Sequence, residues 1–144
     1  MTNHIPFRII GLHVDSFFLT DHKFQIEIPV EVLTSYDFGV NIDEHLVIAR
    51  HSYTYLQEGT KLLQMTLIST FDVKPDAFQS MLQENKFTLE PFFSQYLSTI
   101  NVGAARGEIH ARCQAAESEL ADIILPPINL TEALPEPIVI TLES

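Results

Sequence analysis

Six histidines, one cysteine and nineteen carboxylates are the groups in this 144-residue chain that could do chemistry. A metal ion needs three or four ligands converging on one point. His45 and His51 lie six residues apart on a predicted strand, so they share a face but sit ~20 Å apart, too far for one ion. His110 falls on a predicted helix beside Glu108 and Arg112, with no ligand four residues away. These spacings predict surface or half-buried histidines and no metal. Asp43 and Glu44 are adjacent in a turn, where their side chains diverge into solvent. Cys113 is alone, which excludes an intramolecular disulfide and a cysteine zinc site. With only Arg112 beside it, it reads as a buried or half-buried helical cysteine, not a nucleophile. There is no Gly-rich phosphate loop, no G-x-S-x-G, no H-E-x-x-H and no Cys-x-x-Cys. The residues therefore read as a non-enzyme without cofactor or metal.

Two other features call for an explanation. Arg106 is surrounded by Gly103, Ala104, Ala105 and Gly107, so its guanidinium rises from a smooth surface. It could pair with Glu90, Glu108 or Glu117, or donate to carbonyls of the segment 125–130 and hold it down. The chain also has ten Phe and four Tyr, with Phe17–Phe18 and Phe92–Phe93 in pairs. Neighbours on a strand face opposite ways, so Phe17 and Phe18 cannot share one core. One of each pair is free for a groove or an interface.

The elements that position these groups change character along the chain. Residues 7–19, FRIIGLHVDSFFL, are β-branched and aromatic and end at the turn signal TDHK. Phe24, Ile26, Ile28, Val30 and Val32 then alternate with polar residues, which predicts a strand with Pro29 on an edge or bulge. Tyr36, Phe38, Val40 and Ile42 continue that phase. Strands are expected at 45–56 and 62–73, separated by QEGTK with Gly59 free to take a positive φ. Short connections favour an antiparallel meander. A short helix with Pro75 in its first turn follows, then a loop at ENKFT. Thr88 is placed as the N-cap of a long helix running to about residue 115, with Glu90 and Pro91 in its first turn. Phe93, Leu97, Ile100, Ala104, Gly107 and Ala111 form its expected buried stripe. Gly103 and Gly107 cost that helix about 1 kcal/mol each. The small residues around them would admit another backbone, either the sheet or a partner helix.

In LADIILPPINLTEAL, residues 120–134, two consecutive prolines exclude both helix and central strand. The segment must be extended, and its Ile and Leu residues hold it on the body of the protein. The tail PEPIVITLES is either a last edge strand or loose.

Length and composition fit one domain, 1–144, with 46% hydrophobic residues to fill a core. The net charge of −11 argues against nucleic acid and against anionic membrane. The start MTNHIPFRII lacks the basic and long apolar regions of a signal peptide, and no apolar run is long enough to span a membrane. A cytoplasmic protein is expected, so the glycosylation pattern Asn-Leu-Thr at 129–131 reads as chance.

Arg106 and Gly107 in GAARGEI, followed by Leu125, Pro127 and Asn129 in LPPIN, carry a family resemblance. With four strands and a long helix before them, they resemble the SecB export chaperones, and more closely SecB-like proteins of unassigned role. The resemblance implies an α+β fold: a four-stranded antiparallel sheet with helices on one side. It implies a homo-oligomer, a dimer or a dimer of dimers with an eight-stranded assembly. Such proteins hold unfolded or partly folded polypeptides in apolar grooves without ATP and deliver preproteins to the motor SecA, while some relatives protect antitoxins. Phe17, Phe18, Tyr53, Phe92, Phe93, Leu125, Pro127 and Ile128 are then groove candidates. Arg106, Gly107 and Asn129 are anchors, and the Pro-Pro segment is a groove wall. The chain departs from the family at Pro135 and Pro137, where a second helix and a SecA-contacting tail would stand.

Overall fold

The computed structural model describes residues 5–142; residues 1–4 and 143–144 of the single domain expected over 1–144 lie outside the described residues. Four strands form the main sheet: β1 (Phe7–Leu19), β2 (Glu31–Asn41), β3 (Leu46–Gln57) and β4 (Thr60–Val73). All pairings are antiparallel and the order is β1-β4-β3-β2. The fold is therefore α+β with the four-stranded sheet expected. Only β2-β3-β4 is a meander; β1 returns beside β4 in Greek-key fashion. The connection from Leu19 to Glu31 crosses two strands to do this, and its length suffices, since neighbouring strands lie only ~4.8 Å apart.

That connection corrects the strand expected at 24–32. The alternation there is real, but strand structure begins only at Glu31. The side chain of Gln57 takes the place of a neighbouring strand. Its Oε1 accepts from the Gln25 N–H at 3.0 Å, and its Nε2 donates to Gln25 O and Ile28 O, both at 2.8 Å. Ile26, counted on the inner face, is 85% exposed at the turn. From Val32 onward the phase holds, with Val32, Tyr36, Phe38 and Val40 turned toward the core.

The β3–β4 hairpin turns on Glu58 and Gly59, with φ of 48° and 83°. Two positive φ values make the tight turn whose twist matches the strands, and Gly59 adopts its value without strain. The same device recurs where a plain loop was expected. Glu84 and Asn85, with φ of 50° and 65°, join β5 (Leu82–Gln83) to β6 (Lys86–Leu89). The tail supplies β7 (Ile138–Thr141), which pairs with β6 and completes a second, three-stranded sheet.

Helix α1 spans Pro75–Met81, with Pro75 in its first turn as expected. Helix α2 spans Pro91–Ala115, about 37 Å long. Its N-cap is Glu90, not Thr88; Thr88 pairs with Val139 in the second sheet. Pro91 starts the helix at the position where its missing N–H costs nothing. The buried stripe also differs from expectation. Phe93 and Leu97 belong to it, but it continues through Ser94, Ser98, Asn101, Val102, Ala105, Ile109 and Cys113. Gly107 and Ala111 are exposed. Polar residues in the stripe misled the apolar count.

α2 lies across one face of the main sheet and bridges two apolar clusters. Phe93 and Leu97 join Val47, Ala49, Phe71, Val73, Phe78, Phe87 and Leu89. Val102, Ala105, Ile109 and Cys113 join Tyr53, Tyr55, Leu63, Met65, Leu67, Leu120 and Leu125. After α2, a 3₁₀ turn (Glu119–Asp122) and the extended 123–129 segment lead to α3 (Leu130–Ala133). No helix among the described residues is long and apolar enough to cross a membrane.

Candidate functional site

Between the two apolar clusters lies a buried polar seam. His51 Nε2 and Ser98 Oγ are 2.8 Å apart. The Tyr53 hydroxyl donates to Asn101 Oδ1 at 2.7 Å, and Asn101 Nδ2 donates to Ser69 Oγ at 2.9 Å and Leu67 O at 3.1 Å. Burial lowers His51 to a pKa of about 4, against weaker upward pulls from the Arg50 backbone and Asp37. Its Nδ1 and the Tyr36 hydroxyl find no partner among the described residues. His51 thus corrects the expectation of surface or half-buried histidines. His45 lies outside β3, in a turn at φ 58°, so the two never share a strand face. Burial pushes the Cys113 thiol up, which suits a core cysteine. Among the described residues no three His, Cys, Asp or Glu converge as metal ligands.

Four of the nine exposed large apolar residues among the described residues lie together on β1. Among the described residues this strand pairs only with β4, so its other edge has no strand partner there. Ile9, Ile10, Leu12 and Phe18 are exposed large apolar residues on it; Ile10 and Leu12 are 50% and 54% exposed. Register shifts at Ile10 and Asp15 divide the strand into three paired stretches. On the helix side of the sheet, Leu12 and Val14 stand opposite Ser69 and Leu67. Together with Leu67 they floor a trough of about 430 Å³ whose helix wall is Ala104, Glu108 and Arg112. Arg112 Nε donates to Glu108 Oε1 at 2.9 Å, and its guanidinium sits 5.2 Å from the Phe17 ring centre.

The sequence-derived site residues are thereby separated. Phe17 and Phe18 face opposite sides of the sheet, Phe17 toward the trough end and exposed Phe18 under the Lys61 ammonium. Phe92 is half-buried against the second cluster. Tyr53, Phe93 and Leu125 are core residues with at most 1% exposure, because each fills the space under α2 or beneath the 123–129 segment. Pro127 is exposed and Ile128 half-buried.

Arg106 Nε donates to Leu125 O at 2.6 Å and its Nη2 to Pro126 O at 2.9 Å. His110 Nδ1 lies 2.9 Å from Ala121 O, and the Tyr55 hydroxyl donates to Ile123 O at 3.3 Å. Asn129 caps α3, its Oδ1 accepting from the Glu132 N–H at 3.2 Å. Residues 106 and 110 lie on the flank of α2 opposite 104, 108 and 112, as 100° per residue requires. The Pro-Pro segment therefore covers the flank away from β1 and does not wall the trough. Among the described residues nothing outside the helix's own nearby backbone lies within 4 Å of a Cβ built on Gly103 or Gly107, so the close approach offered by these residues is unused there.

Ile9, Ile10, Leu12 and Tyr96 were missed as site residues. Ile-Ile-Gly-Leu breaks strict alternation, which is the signal that one strand exposes apolar groups on more than one side. The chain matches no family model, no curated protein sequence and no solved structure.

Proposed function

We propose that this protein is an ATP-independent, chaperone-like binder of unfolded or partly folded polypeptides, preproteins for export among them. One observation carries the reading. A 13-residue edge strand leaves Ile9, Ile10, Leu12 and Phe18 exposed and shares a trough with the longest helix. Unfolded chains present apolar side chains, which the exposed side chains of such a strand and its trough can cover. The order of elements and the Arg106 contact with the segment after α2 agree with a SecB-like scaffold. The net charge of −11 keeps complexes with sticky clients in solution.

The assembly we propose is a homo-oligomer in which β1 pairs with β1 of a second copy to give an eight-stranded sheet. Pairing would satisfy that edge and leave the helix-side trough for the client. The unused small-residue surface at Gly103 and Gly107 supports packing of α2 in the same assembly.

A second reading, a dedicated adaptor for one partner of antitoxin type, is favoured by one feature. α3 is a single turn and the chain re-enters a sheet at Ile138, where SecB-like proteins place a second helix and a SecA-contacting tail. SecA coupling is the part of the proposal that this feature opposes.

Aggregation suppression tests the function. A slowly folding protein is diluted from denaturant with stoichiometric amounts of this chain and no nucleotide. Suppression that is lost in Leu12→Lys supports the holdase. Failure across several clients excludes it and leaves the adaptor.

A further inference from the structure

A second cavity lies away from the trough, where the start of β1 and the end of β4 meet α2. It measures about 690 Å³, within the usual range for small-ligand sites. Phe7, Phe93 and Tyr96 line it, with Phe7 edge-on to both others at centroid distances of 5.6 and 5.4 Å. Ile5, Pro6, Val73 and Pro75 complete its apolar wall. Its charged residues are Arg8, Lys74 and Asp72. Two cations against one carboxylate leave the cavity at +1 on a chain of net charge −11. Among the described residues Arg8 bonds only through Nε, to Asp72 Oδ2 at 3.2 Å, and its terminal nitrogens have no partner there. Lys74 Nζ and the Tyr96 hydroxyl have no hydrogen-bond partner among the described residues.

We propose that this cavity binds a carboxylate carried on a flat apolar body, an aryl or similar amphipathic acid. The ring lies against Phe7 and Tyr96, over buried Phe93, and the carboxylate meets Lys74 and the terminal nitrogens of Arg8. Elsewhere the acidic chain repels an anion, so charge selects this site. A free small acid and the C-terminus of a peptide ending in an aromatic residue offer the same chemistry. The proposal does not depend on client binding by the β1 trough.

Titration followed by NMR on the full chain tests it. The probes are 3-phenylpropionate, its amide, and an acetylated dipeptide ending in phenylalanine as free acid and as amide. Saturable shifts at Phe7 and Tyr96 are expected with at least one acid. The matching amide and Lys74→Gln with the acid should each bind about tenfold more weakly, as loss of a charge-assisted contact requires. Binding of 3-phenylpropionate alone assigns a free acid, and binding of the peptide acid assigns a C-terminus. No saturable shift with either acid overturns the proposal. So does equal binding of acid and amide in the wild-type chain, a comparison that does not depend on any variant folding.

Discussion

His51 is neutral in the folded protein because its ring is buried against Ser98, Tyr36 and Phe38. The unfolded chain binds a proton there near pH 6.5, the folded chain only near about 4. The unfolded state therefore holds more protons between these values, and stability falls as pH drops from 6.5 toward 4. The difference amounts to about 3 kcal/mol. Urea unfolding at several pH values should show this slope in the wild type and lose that part of it in His51→Phe. An unchanged slope in the variant would remove His51 from the account. Asn101→Ala should cost about 2–3 kcal/mol, since it strands the buried Tyr53 hydroxyl; a thermal midpoint close to that of wild type would contradict this. The seam was hard to read because Ser94, Ser98 and Asn101 look like surface residues on a helix. Their spacing of four and three is the only sign that they share the buried face.

Among the elements, α2 connects fold and surface. One flank holds the 123–129 segment through Arg106, and the other walls the trough through Ala104, Glu108 and Arg112. Arg106→Ala removes two side-chain donors, so the hydrogen-bonded amides of Ala133 and Leu134 just after the segment should exchange several-fold faster, while exchange in β3 stays unchanged. Unchanged exchange at both would sink the anchoring role. Gly103→Ala and Gly107→Ala should each raise helix stability by about 0.5–1 kcal/mol in the isolated chain. If a second copy packs there, the same changes should weaken the oligomer in sedimentation; no change in mass would argue against that contact. Alternation and turn chemistry made β3, β4, α1 and the body of α2 legible. The register that sends β1 beside β4 was not, because antiparallel neighbours are chosen by long-range packing. The 24–30 segment shows how a side chain, that of Gln57, outcompetes a strand whose pattern was correct. Glu84 and Asn85 made a hairpin turn without glycine, which removed the usual signal.

The whole molecule combines a strongly acidic surface with one apolar edge strand. Natural sheets blunt such edges with charge, and β1 does so only at Arg8 and Asp15. Both residues are already in ion pairs with Asp72 and Arg50, which leaves the apolar stretch between them open. The central claim is that this stretch and the adjoining trough receive unfolded chains. Hydrogen exchange with and without a saturating, permanently unfolded client measures it most directly. The account predicts added protection confined to β1, around residues 9–14, and to the facing flank of α2 around 104–112. Protection elsewhere, on the outer face of the sheet or over the 123–129 segment, or none with any client, would contradict it.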